Sequence, residues 1–121
     1  MKKLDSNKLT ADQQKFFNDK LAYISTVDSE GNPQVGPKGS LHVLDESHLV
    51  YVEVTFAHAF DNIKAGSKVA VVVADVPSHT ALRAIGTPHI QEDGDFADKQ
   101  RAESGKKSGT VVVIDVEELF A

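Results

Sequence analysis

The chain of 121 residues has no cysteine and no tryptophan, and none of its hydrophobic runs approaches the length of a membrane span. The absence of cysteine excludes disulfides and thiolate metal sites, and it fits a reducing compartment. The first ten residues contain lysines but no apolar segment of the kind that signal peptides carry. We therefore expect a cytoplasmic protein that does not act at a membrane.

Positive charge is also scarce, since 13 Lys and Arg residues are outnumbered by 18 Asp and Glu residues. The resulting net charge of -5 argues against nucleic acid as the main partner, because binding phosphate backbones needs a basic surface. Hydrophobic residues make up 40% of the chain and charged residues 26%, a composition typical of globular proteins. The length predicts one domain over residues 1–121 with one modest core.

Three segments have helical signals. Thr10 followed by Gln13 has the spacing of a capping box and predicts a short helix to about Lys20. Residues 57–65 predict a second helix, with Gly66 placed to end it. A polar helix is predicted near residues 96–103.

Six segments rich in Val, Ile, Leu and Tyr predict strands, mostly joined by short turns. They are residues 21–27, 34–44, 48–55, 69–74, 82–91 and 110–116. Closure into a barrel would remove the exposed edges of so many strands. A sandwich and a ferredoxin-like sheet are the alternatives, and the scarcity of long helices between strands argues against the second.

The segment VAVVVA at residues 69–74 is apolar throughout instead of alternating. A strand of this kind is typically covered on both faces. In so small a chain, the second cover is expected to come from another copy. The segment therefore favours a homodimer.

Several strings in the same order resemble the pyridoxamine 5'-phosphate oxidase-like split-barrel family. LAYISTVDSEGNPQVGP resembles the family's opening hairpin, and DESHLVYVEVTFAHAFDNIKAGSKVAVVVAD resembles the block that follows. LRAIG, at residues 82–86, resembles the fifth strand. The resemblance covers about residues 9–116, and its strength lies in the ordered set.

The resemblance implies a mainly β fold, a six-stranded antiparallel Greek-key split β-barrel with two or three short helices. It also implies a homodimer that binds one FMN per subunit where the subunits meet. The short length is similar to that of the small single-domain FMN-binding proteins of the family.

For the FMN phosphate, the resemblance points to the junction between the third strand and the second helix. Helix starts offer unpaired amides and a positive dipole end, which suit a phosphate. His58 stands where the family commonly has Lys or Arg, and a neutral imidazole is a weaker counter-ion. Thr55 would cap the helix or bind the phosphate. Asn62 is expected to tie the helix to a neighbouring loop more than to touch the ligand.

For the flavin ring, the resemblance points mainly to backbone groups of the second and third strands. The matching positions are Pro37, Lys38, Gly39 and Ser40 on one strand, and Val52, Glu53 and Val54 on the other. Gly39 would let a flat ring approach closely. Lys38 would bring positive charge near the pyrimidine or the phosphate. Arg83 is a further candidate, contributed by the partner subunit.

Each of these positions also has a plain structural interpretation. His58 would be a solvated residue of a first helical turn, and Lys38 a solvent-facing strand residue. Glu53 is expected to be a surface or interface carboxylate. The cluster Gly36, Pro37 and Gly39 would mark a β-bulge or an irregular edge.

The remaining histidines are His42, His48, His79 and His89. They have neither metal-ligand spacing nor a nearby carboxylate pattern, so we predict no zinc or iron site. Ser40 and Ser78 lack a nucleophile-elbow context. No Gly-x-Gly-x-x-Gly or P-loop string supports Rossmann binding or ATP hydrolysis.

The function expected from the resemblance is electron transfer through FMN, as a carrier or as a small flavin-dependent oxidoreductase, with no catalytic side chain assigned. True pyridoxamine phosphate oxidase activity is not expected, because residues 117–121 offer nothing to hold a second phosphate. Two alternatives remain open: a binding module for haem or a deazaflavin, and a non-catalytic dimerising subunit. The sequence names no electron donor and no redox partner.

Overall fold

The computed structural model describes all residues 1–121 and contains seven strands and three helices. The strands are β1 (Ala22–Val27), β2 (Pro33–Lys38), β3 (His42–Asp45), β4 (His48–Glu53), β5 (Val69–Asp75), β6 (Thr80–Gln91) and β7 (Thr110–Phe120). The helices are α1 (Ala11–Asp19), α2 (His58–Lys64) and α3 (Asp95–Glu103). None of these helices has the length and apolar character needed to cross a membrane.

All strands belong to one antiparallel sheet with the order β2-β1-β5-β6-β7-β4-β3. Its edge strands, β2 and β3, follow each other in the chain and are joined only by residues 39–41. A three-residue connection can join the two edges only if the sheet curls until they meet. The edges β2 and β3 are therefore joined by the chain but not paired with each other, so the curled sheet stays open between them, which confirms the predicted split barrel.

The prediction of six strands is wrong in one place. The expected strand over residues 34–44 is two strands, separated at residues 39–41. The reason is that β2 pairs with β1 while β3 pairs with β4, so the chain must pass from one sheet edge to the other. Gly39 and Ser40 lie at this bend, where the regular ladder is interrupted.

The main core fills the inside of the curled sheet. Its fully buried side chains include Phe17 from α1, Ile24 from β1, and Leu49 and Tyr51 from β4. Burying a side chain of the size of Leu or Phe contributes about 1.5–3 kcal/mol. A second, smaller cluster packs on the outer face of β4 and β7 under α3: Val50, Val52, Ala97, Val111 and Val113. The two clusters together cover both faces of β4.

The predicted helices are confirmed. Thr10 accepts a hydrogen bond from the Gln13 amide, and the Gln13 side chain accepts one from the Thr10 amide, which completes the capping box. Helix α2 ends before Gly66, whose φ of 102° lies in the left-handed region.

Only one face of β5 is buried in the single chain, through Val69, Val71 and Val73.

Candidate functional site

Lys38 and Glu53 form an ion pair across the split of the barrel. The Lys38 Nζ lies 3.0 Å from the Glu53 Oε1, although β2 and β4 are not paired in the sheet. The Glu53 side chain is 1% exposed and the Lys38 side chain 14% exposed. The expectation that Glu53 lies at the surface or at an interface is wrong, because the single chain already buries it.

The second oxygen of Glu53 organises the turn that follows β4. Its Oε2 accepts hydrogen bonds from the Thr55 amide at 3.0 Å, the Thr55 hydroxyl at 2.9 Å and the Phe56 amide at 3.2 Å. Burial alone would raise the pKa of the Glu53 carboxyl, but hydrogen bonds from Lys38 and Thr55, with the Lys38 charge, hold it below its ordinary value. Glu53 therefore stays ionised with its acceptor capacity used within the protein.

The turn held by Glu53 has an unusual backbone. Phe56 has a φ of 51°, in the left-handed region that residues other than glycine rarely adopt. Its ring packs edge-to-face against Phe60 of α2, with the ring centroids 5.2 Å apart. Strained backbone of this kind is frequent at functional sites. The Glu53 carboxylate and the Phe60 ring therefore fix the direction in which α2 leaves β4.

Ser40 completes the bend that closes the barrel. The Val52 amide donates to the Ser40 Oγ at 2.9 Å, and the Ser40 hydroxyl donates to the Val52 carbonyl at 3.3 Å. The side chain thus makes the two bonds to β4 that a ladder residue would make with its backbone. Because Ser40 comes only two residues after β2, these bonds hold the end of β2 against the end of β4.

A groove of about 420 Å³ opens between β2 and the start of α2. It is lined by Ile24, residues 34–38, Thr55 and residues 57–59. An adjoining recess of about 110 Å³ lies at the split and shares Pro37, Lys38 and Thr55 with the groove. The groove falls within the usual volume range of small-molecule sites, roughly 300–1,000 Å³.

The structure brings most of the predicted site residues together. The recess is lined by Pro37, Lys38, Gly39, Ser40, Val52, Glu53, Val54 and Thr55. His58 is exposed and lines the groove. Asn62 lies apart from both cavities, and its buried side chain donates to the Thr26 Oγ1 of β1 at 3.1 Å. Arg83 lies on the outer face of β6, with its guanidinium 4.4 Å from the ring centre of Phe120.

Sequence reasoning missed one charged residue of the site, Lys106. It lies in the connection between α3 and β7 and lines the recess. Its separation from β2 and β4 by more than 50 positions leaves no local signal for this contact.

Sequence reasoning also missed that Tyr51 packs beside the ion pair, with the Lys38 Nζ 5.4 Å from the ring centre. Burial and the nearby Glu53 charge raise the pKa of the Tyr51 hydroxyl well above its ordinary value.

These residues fit a flavin nucleotide. Helix α2 begins without a side-chain cap, so the His58 and Ala59 amides have no intrahelical acceptor, and both residues line the groove. Side chains added at Gly36 and Gly39 would project into open space, so these positions leave room for a flat group against the backbone. The groove can therefore offer amides to an anion, and the β2 backbone can receive a ring.

A second polar cluster lies at the opposite end of β4. The His48 Nδ1 lies 2.7 Å from the Asp45 Oδ1, and its Nε2 lies 3.2 Å from the Asp115 Oδ1. The His89 Nε2 lies 2.7 Å from the Asp115 Oδ2. The prediction that these histidines lack nearby carboxylates is wrong, because the β3–β4 hairpin places Asp45 beside His48, and the pairing of β7 with β4 and β6 places Asp115 beside His48 and His89. No group of three or more such side chains has an arrangement suited to a metal ion.

The sequence profile of the family described as pyridoxamine 5'-phosphate oxidase matches residues 9–121. The chain belongs to this family. The match confirms the resemblance inferred from residues 9–116. A comparison with curated proteins gives no match.

Two solved structures are similar to this chain over most of its length. A Lactobacillus delbrueckii protein provisionally described as a pyridoxamine 5'-phosphate oxidase is 55% identical, with 100% of both chains covered and a TM-score of 0.94. HupZ from Group A Streptococcus is 29% identical over 93% of this chain and 92% of its own, with a TM-score of 0.84.

Two other solved structures share the fold alone. An FMN-binding protein from Syntrophomonas wolfei is 12% identical, covering 88% of this chain and 81% of its own, with a TM-score of 0.75. HutZ, the haem storage protein of Vibrio cholerae, is 15% identical over 94% of each chain, with a TM-score of 0.72.

Proposed function

We propose that this protein binds FMN in the groove and the recess beside the Lys38–Glu53 pair, as a flavoprotein of electron transfer or a small flavin-dependent oxidoreductase. One observation carries the proposal. An uncapped helix start and two glycine positions that face open space line two adjoining cavities, which share Pro37, Lys38 and Thr55. The FMN-binding protein from Syntrophomonas wolfei has the same fold, which supports this choice of ligand.

The groove would hold the phosphate. The amides of His58 and Ala59 would donate to its oxygens, and the exposed His58 ring would donate a further hydrogen bond. The Thr55 hydroxyl is engaged with Glu53, so it would act mainly by keeping this turn in place.

The recess and the adjoining backbone of β2 would hold the ring. Bound FMN supplies the one- and two-electron redox chemistry, while this chain orients it and excludes water. The suggestion that Lys38 provides a free positive charge gains no support, because Lys38 is already paired with Glu53 at 3.0 Å. The pair would instead keep β2 and β4 at a fixed separation around the ring.

The first experiment is an absorbance spectrum of the purified protein, followed by FMN titration of any apo fraction. We expect a flavin spectrum and FMN binding that weakens about tenfold in His58→Ala, the size of one charge-assisted hydrogen bond. His79→Asn is the matched control, since His79 lies in the turn between β5 and β6 and lines neither cavity. A colourless protein that binds no FMN would overturn the proposal.

A haem-binding function is the second candidate, favoured by the exposed His58 on the groove and by the shared fold of the haem storage protein HutZ. Imidazole is a common axial ligand of haem iron. A Soret band in place of a flavin spectrum, lost in His58→Ala and kept in His79→Asn, would support this candidate. A deazaflavin, or a purely dimerising subunit, would show neither spectrum.

We also propose that the protein is a homodimer. The outer face of the sheet has a cross-strand row formed by Pro37, Tyr23, Val72, Arg83 and Phe120, which follow one another in register. Tyr23 is 43% exposed, and the Arg83 Nε is buried with no hydrogen-bond partner. A second copy packed on this row would cover the apolar side chains and offer Arg83 an acceptor.

The dimer can be tested by the oligomeric state of Val72→Asp. A carboxylate in the centre of the row would bring a charge into an apolar contact between the two copies, so we expect monomers or insoluble protein. Val76→Asp introduces the same charge at a position that is 81% exposed and outside the row, and it should leave the dimer intact. A soluble FMN-loaded dimer of Val72→Asp would contradict this interface.

A further inference from the structure

The connection between α3 and β7 contains a hydrogen-bonded turn that sets the position of Lys106. After α3, the Lys106 amide donates to the Arg101 carbonyl at 2.9 Å and the Gly105 amide to the Ala102 carbonyl at 3.1 Å. Gly105 has a φ of 68°. These two bonds and the left-handed glycine form a Schellman motif, in which Lys106 is the second residue after the cap.

The far end of the same connection is fixed against the site. A Cβ added at Gly109 would lie 2.7 Å from the Glu53 carbonyl oxygen and 2.8 Å from the Val52 Cγ1. The Arg101 guanidinium donates to the Gly109 carbonyl at 3.0 Å and to the Glu92 carbonyl at 3.1 Å. The connection is therefore held at both ends, and it places Lys106 on the wall of the recess.

Lys106 supplies the uncompensated positive charge of the recess. The charge of Lys38 is neutralised by Glu53, whose oxygens are engaged by Lys38, Thr55 and Phe56. Lys106 takes part in none of the ion pairs of the structure. Its ammonium remains available for an anionic group of a ligand.

We propose that the positive charge of Lys106 stabilises the reduced, more negative state of the bound flavin ring and so sets its reduction potential. This inference rests on the proposed FMN function and on the ring lying in the recess. A cation beside the pyrimidine portion stabilises the charge that reduction adds to the ring. Lys106 lines the recess and does not line the groove that would hold the phosphate, and this placement assigns it to the ring.

The test measures the midpoint potential of bound FMN together with the dissociation constants of FMN and riboflavin. In Lys106→Gln we expect the preference for reduced over oxidised FMN to fall about tenfold, which for a two-electron couple is about 30 mV. Lys107→Gln is the matched control, because it removes the same charge from the next residue, which does not line the recess. Lys106→Arg should restore the potential.

The outcomes separate the two proposals. If the unmodified protein binds no FMN, the proposed function fails. If it binds FMN and the potentials of Lys106→Gln and Lys107→Gln agree, Lys106 plays no part and this inference fails alone. A weakened affinity for FMN but not for riboflavin, with an unchanged potential, would place Lys106 at the phosphate and overturn its assignment to the ring.

Discussion

At both ends of β4 a carboxylate meets a nitrogen-bearing side chain, but the surroundings are opposite. At the Glu53 end, one carboxylate is 1% exposed and accepts four hydrogen bonds from Lys38, Thr55 and Phe56. At the His48 end, the carboxylates and imidazoles of Asp45, His48, His89 and Asp115 are each between 37% and 53% exposed. The two ends have similar numbers of polar contacts and differ in how far solvent reaches them.

This difference decides what each cluster can do. Charges that water can reach are screened and exchange partners at little cost. A buried carboxylate must keep its partners, since the loss of one leaves a charge that water cannot solvate. The Glu53 end therefore holds a fixed backbone geometry around the recess, which a binding site needs. The His48 end has no such constraint.

The largest effect is expected from Lys38→Met, which keeps the apolar stem and removes the charge. It leaves Glu53 ionised and buried without its cation, so we expect a loss of about 3 kcal/mol in the free energy of unfolding. Urea denaturation would measure it. The double variant Lys38→Met with Glu53→Gln should recover at least half of the loss, because glutamine is neutral and still accepts from Thr55. A single variant as stable as the unmodified protein would show that burial does not distinguish the two ends.

A smaller effect is expected from Gly109→Ala, at the contact between the α3–β7 connection and the Glu53 end. The φ of 122° and the approach to the Glu53 carbonyl both disfavour a Cβ, and we expect a loss of about 2 kcal/mol. Gly105→Ala is the control, since its φ is 68° but its Cβ would meet no atom within 4 Å. It should cost about 1 kcal/mol. Equal losses in the two variants would mean that the contact with Glu53 contributes nothing.

The Glu53 end also shows how far sequence reasoning extends. Local signals were sufficient for the capping box at Thr10 and for the glycine that ends α2, and the family resemblance pointed to most residues around the recess. The break at residues 39–41 was missed, because it depends on two sheet edges meeting, which no local pattern records. The burial of Glu53 was missed for the same reason: its cation lies across the split, on a strand that does not pair with β4.

Long-range contacts explain the remaining errors. The recess contains Lys106 only because Gly109 lies against Glu53, and His89 meets Asp115 only because β6 and β7 are paired. Neither partner is close in the chain. Spacing rules for metal or catalytic motifs therefore could not detect these groups, although the residue types themselves were visible.

Acid titration sharpens the comparison further. The pKa of the Glu53 carboxyl is lower in the folded protein than its ordinary value. The ionised carboxylate therefore stabilises the fold fully at pH values above the ordinary pKa of glutamate. This stabilisation disappears as the pH falls through the lower, folded pKa. Glu53→Gln cannot titrate, so its deficit in unfolding free energy, measured by urea denaturation, should shrink between about pH 6 and pH 3. A deficit independent of pH would contradict the role assigned to the ionised carboxylate.

The smallest effect is expected from Asp115→Asn, which removes the charge that His48 and His89 share. Both imidazoles remain open to water and can exchange the carboxylate for solvent, so we expect a loss below about 1 kcal/mol in the free energy of unfolding. The difference should decrease further at high salt, because exposed pairs are screened. FMN affinity should stay unchanged, since Asp115 lines neither the groove nor the recess. A loss as large as that of Lys38→Met would mean that the His48 end, despite its exposure, stabilises the fold as strongly as the buried pair.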